Sequence, residues 1–175
     1  MKTLDQVEPR TPITNLPFVI TSSGSYYATT NLNGASGILI DADDVTIDLN
    51  GFTLDGFISG ASDGIAVTGF HENIRIENGT LLNWQRSGIE LDSSRLNTIR
   101  NVTVRRNANH GISGGEFAHI QNCRAEFNSA NGIEVNFDGV VEDSISDNNA
   151  TGINTLGRSI VHHCRIAANH ERHHD

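Results

Sequence analysis

Glu90 and Glu134 occupy the same place after a recurring Gly-Ile dipeptide, which makes them the first candidates for chemistry in this chain. Two carboxyls at a fixed separation can work across a glycosidic bond, one protonating the leaving oxygen while the other activates water. Asp92 follows Glu90 by two residues, and Glu116 and Asp138 fall on adjoining turns, so an acidic stripe is expected. That stripe could instead hold Ca²⁺ through carboxylate and carbonyl oxygens. Ser113 and Asn154 take the place of the glutamates in other copies and would line the same surface as ligand-binding groups. Trp84, the only tryptophan, would stack on a sugar ring if exposed and would fill a loop against the core if not.

The elements that must position these residues follow from the dipeptide itself. Gly-Ile stands at 37–38, 64–65, 88–89, 111–112, 132–133 and 152–153, at intervals of 27, 24, 23, 21 and 20 residues. Aligning the copies exposes a second column: "IENGTL", "IRNVTV", "IQNCRA", "VEDSIS" and "VHHCRI", with "IDLNGFTL" as its first member. Asn78, Asn101 and Asn122 share its third place, followed by Asp143 and His163. A further column of Asn107, Asn128 and Asn148 lies four residues before Gly-Ile.

Each unit therefore holds three short strands whose period-2 alternation sends aliphatic side chains to one side. Stacking such units about 4.8 Å apart puts each column inside one tube. Asparagine suits the corner between second and third strands because it tolerates the left-handed backbone region. Glycine before isoleucine reads as a sharp entry into the first strand. The predicted fold is all-β: a right-handed parallel β-helix, a three-sheet solenoid of about six coils spanning 35–168. Residues 1–34 form an N-terminal segment and cap, with Pro17, Phe18, Tyr26 and Tyr27 over the tube end, and 169–175 a polar His-rich tail. Leucine-rich repeats have a similar period, but their Leu-x-x-Leu-x-Leu signature is missing.

On this geometry Glu90 and Glu134 lie two coils apart, about 9.6 Å, near the upper limit used by inverting glycosidases. Cys123 and Cys164 also lie two coils apart, about 9.6 Å and too far for a disulfide, and read as small wall-filling residues. His170, His173 and His174, near Glu171 and Asp175, are weak metal candidates on the tail.

Composition narrows the partners. The net charge of −9 and scattered arginines disfavour nucleic acid and anionic membranes. No stretch approaches the roughly 20 apolar residues of a membrane helix. The N-terminus shows no apolar signal core.

The pieces "VEPRTPI", "GSYYATTNL", "DDVTIDLNGFTL" and "ENGTLLNW", followed by the "NGI" and "NHGI" repeats, resemble right-handed β-helix proteins of the pectin-lyase-like superfamily, in particular secreted bacterial members of unassigned activity. The resemblance implies an export signal ahead of Met1 and an extracellular or cell-surface location. It also implies that any active site lies along the first-strand sheet and its flanking loops. Pectate lyases of this superfamily combine calcium-binding acids with an arginine base, which singles out Arg95 by position. The Asn-Thr-Asp, Gly-His-Gly and Arg-Ile-Lys motifs of polygalacturonase-type enzymes are absent. Three functions stay open: polysaccharide binding without efficient catalysis, a polysaccharide lyase or glycoside hydrolase, and a structural module forming homo-oligomers through its open C-terminal end or an exposed sheet.

Overall fold

The computed structural model describes residues 10–56 and 60–169, and within them every paired strand is parallel. The first-strand sheet has seven members: Phe18–Ile20, Ile38–Ile40, Ile65–Val67, Ile89–Glu90, Ile112–Ser113, Asn131–Val135 and Thr151–Thr155. The solenoid thus has about seven turns rather than six. Phe18–Ile20 pairs in register with Ile38–Ile40, so the segment expected to lie over the tube as a cap supplies a turn of it. No Gly-Ile announces that turn, because its glycine position is filled by Pro17.

The second and third strands of each unit form one 13-stranded sheet. They merge because Arg75–Leu82 and Thr98–Arg105 run through the corner unbroken. Asn78, Asn101 and Asn122 turn that corner with φ of 60°, 55° and 51°, as their side-chain chemistry predicts. Their amides form a ladder, Asn101 Nδ2 donating to Asn78 Oδ1 at 3.1 Å and Asn122 Nδ2 to Asn101 Oδ1 at 2.8 Å.

The core consists of stacked files. Ile38, Ile65, Ile89, Ile112, Ile133 and Ile153 pair one above another, as do Ile47, Ile76, Ile99, Ile120, Val141 and Val161. Burial of each such side chain contributes about 1.5–3 kcal/mol. The second file emerges at the last coil, where Val161 is exposed, as is Ile166 on the third strand of that coil.

A second, fully buried ladder closes the turn into the first sheet. Asn107 Nδ2 donates to Asn128 Oδ1 and Asn128 Nδ2 to Asn149 Oδ1, both at 2.9 Å. The expected third member, Asn148, is instead a left-handed corner with φ 54°. The final turn is one residue shorter between ladder and glycine, so the register slips to Asn149.

Trp84 takes the inner place of this ladder one coil earlier. Its backbone N–H donates to Asn107 Oδ1 at 3.0 Å and the side chain is only 1% exposed. The ring fits because Gly56 leaves room; a Cβ there would lie 2.5 Å from the indole. Stacking of Trp84 on a sugar is therefore corrected to a core role.

Candidate functional site

Alternation along the first sheet turns Ile89, Ile112 and Ile133 inward and their successors outward. In register, the outward file runs Val19, Leu39, Ala66, Glu90, Ser113, Glu134, Asn154. Glu90 and Glu134 are two rungs apart, about 9.6 Å, with Ser113 between them.

Three details distinguish this file from an ordinary solvated strand face. Ser113 is 1% exposed, and its Oγ has no hydrogen-bond partner. Glu134 accepts from Asn154 Nδ2 at 2.7 Å and from Asn131 Nδ2, so two neutral amides hold it. Burial pushes the Glu90 pKa above the usual carboxylate value; a 2.7 Å bond from Ser87 Oγ opposes this, Asp63 and Asp92 reinforce it, and His110 counters it.

Ser87, Asp63, His110 and Asn131 are site residues that the Glu file alone does not reveal. Each immediately precedes a Gly-Ile, and Ser36 and Thr151 complete a column that is polar in all six copies. The turn before the glycine lifts this residue beside the outward residue three positions later, as the Ser87–Glu90 and Asn131–Glu134 bonds show. Asp63 accepts from the Ser87 N–H at 2.8 Å and pairs with Arg86 Nε at 3.5 Å. Asn109 Nδ2 donates to Ser87 Oγ at 3.2 Å, and His110 Nδ1 is buried without a partner.

Toward the N-terminus the groove becomes apolar. A pocket of about 280 Å³ is lined by Pro17, Val19, Leu39, Ser62, Asp63 and Ala66, among others. Asp63 is common to the pocket and to the carboxylate site, so the two form one continuous surface.

The remaining predicted residues lie at the edge of this site or outside it. Asp92 stands at the groove edge, accepting from Asn136 Nδ2 at 2.7 Å. Arg95 lies on the following turn, bound to Glu72 at 2.8 Å and stacked 5.4 Å from the Phe70 ring centre, and Glu116 bridges to it through backbone. Arg95 is thus held away from the role of a base beside Glu90. Asp138 is a left-handed corner paired with Arg158 at 3.1 Å, again outside the groove, because the turn rather than the strand carries it. His170, His173 and His174 lie outside the described residues. Among the described residues no three His, Cys, Asp or Glu side chains come together as a metal cage. Cys123 is buried and its thiol is pushed up to about 12 by burial, which makes it a wall residue and no nucleophile.

Chemically, the groove offers a half-buried carboxyl inclined to keep its proton and a carboxylate fixed by amides, with an unpaired hydroxyl and imidazole nitrogen buried beside them. Such a surface can exchange hydrogen bonds with a chain of hydroxyl groups laid across the rungs, and Glu90 can pass a proton to it.

Comparison with known proteins agrees with the architecture. No curated protein matches the sequence. Among solved structures, the A-module of the mannuronan C-5 epimerase AlgE4 from Azotobacter vinelandii superposes with a TM-score of 0.63 at 16% identity, over 83% of this chain and 49% of that one. The chain therefore spans about half the length of that structure, and the likeness is one of fold. The family model described as the right handed beta helix region matches residues 19–170, and together with the stacked parallel coils it shows that the chain belongs to the right-handed β-helix family.

Proposed function

We propose that this chain is a polysaccharide-binding β-helix module that holds its ligand along the outward face of the first sheet, at the cell surface or outside the cell. The observation that carries this reading is the Ser113 hydroxyl, buried and unpaired between two carboxyls. An unsatisfied buried hydroxyl costs about 1–3 kcal/mol, a cost that a ligand hydroxyl reaching it would remove. The apolar pocket beside Ala66 extends the same surface toward the N-terminus, and the unpaired His110 Nδ1 belongs to the same coil as Ser113. The superposed structure carries the name of an enzyme that works on a polysaccharide, which is consistent with a glycan in this groove.

The test is binding to a polysaccharide panel by calorimetry, comparing the native chain with Ser113→Ala and Glu134→Gln. Affinity that falls in both variants supports the groove. Affinity unchanged in both would remove it.

A second reading, catalysis, is favoured by one observation: Glu90 keeps its proton more readily than an ordinary glutamate, beside His110. New reducing or unsaturated ends that appear with the native chain and vanish with Glu90→Gln would establish it.

A further inference from the structure

The charge distribution around the groove points to a class of ligand. We infer that the groove takes a glycan chain free of carboxylates and discriminates against polyuronates; this rests on the binding reading above.

Glu90, Glu134 and Asp92 are each held by donors that carry no charge: Ser87, the amides of Asn131 and Asn154, and the amide of Asn136. Neutral donors fix a carboxylate without cancelling its field. The Arg86 guanidinium is paired with Asp63. Arg95 is bound to Glu72 on the far side of Asp92, and Arg106 lines a separate hollow with Gln85 and Phe127. The single lysine, Lys2, lies outside the described residues. Beside the file, His110 is the group whose charge acts directly on Glu90.

A polyuronate presents a carboxylate on every sugar and would set like charges against Glu90 and Glu134, while the guanidinium at the groove, Arg86, is already engaged by Asp63; such juxtaposition is a strong discriminator. A neutral chain presents hydroxyls instead. These can donate to Glu134 and accept from the Ser113 hydroxyl, whose buried, unpaired Oγ marks where a ligand atom belongs. The apolar stretch formed by Val19, Leu39 and Ala66 likewise suits the uncharged face of a sugar.

The decisive comparison keeps linkage constant and changes charge alone. Several polyuronates and their carboxyl-reduced counterparts are titrated into the full chain in EDTA and again in calcium. The reduced polymer should bind about tenfold or more tightly than its parent. Glu90→Gln with Glu134→Gln should narrow that gap by raising affinity for the polyuronate, with circular dichroism confirming the fold. A polyuronate that outbinds its reduced form in either buffer overturns the ligand class while leaving the groove intact. Failure of every neutral and acidic polymer to bind removes both the ligand class and the groove.

Discussion

Replacing Gly111 by alanine tests what the Gly-Ile dipeptide is for. Gly111 does not have a positive φ, and none of the six repeat glycines does, so left-handed freedom is not the requirement. A Cβ on Gly111 would instead lie 2.4 Å from the Gly132 carbonyl oxygen of the next coil and 2.8 Å from Asn128 Nδ2. Backbone cannot swing aside as a side chain can, so the rung must open. Overpacking of this kind costs about 1–3 kcal/mol. The opening also strains the bonds from Gly111 N to Asn131 O and from Ile89 N to Gly111 O, both 2.9 Å, each worth about 1 kcal/mol. The expected loss is therefore about 3–5 kcal/mol. Urea unfolding followed by circular dichroism measures it as a lower midpoint. Gly51 supplies the control, since it has φ 82° and open space around its missing Cβ. Gly51→Ala should cost only the conformational penalty of about 1–2 kcal/mol. If Gly111→Ala proves milder than Gly51→Ala, close approach between coils is not why glycine stands there.

Four further outcomes are expected. Trp84→Ala should lower stability by about 3–5 kcal/mol while the folded fraction binds glycan as before, because its ring fills the core; lost affinity with unchanged stability, read by calorimetry and urea unfolding, contradicts this. Asn128→Ala breaks the buried ladder and strands the Asn107 N–H and amide, costing about 2–4 kcal/mol in urea unfolding. Asn122→Gly, which keeps the left-handed corner and loses one exposed amide bond, should cost about 1 kcal/mol or less. Glu90, with its raised pKa, stays protonated in the folded chain where the unfolded chain has released the proton. Its favourable contribution is complete below the ordinary 4.5 and fades as pH rises through the raised folded value. Stability of the native chain relative to Glu90→Gln should accordingly fall across that window, and a rising or level difference in paired melts refutes the assignment.

The likeness to a longer solenoid leaves the ligand undecided, since one coil geometry supports many surfaces. What distinguishes this chain is local: which polar residues meet on the outward file and which remain unpaired.

Sequence alone determined the coil and its files. Aliphatic residues at a repeating spacing must share a tube, and Asn78, Asn101 and Asn122 can turn left-handed corners on their own chemistry. Alternation likewise sufficed to put Glu90, Ser113, Glu134 and Asn154 in one outward line. Only the stacked chain decided that Phe18–Ile20 opens the solenoid, that Trp84 lies inside, that the ladder passes to Asn149, and that Ser87, His110 and Asn131 flank the glutamates. These depend on how far one turn stands from the next and on how many residues each loop spends reaching it. A spacing of residues along one coil records the first sheet's pattern, whereas contact between coils depends on distances that exist only after stacking.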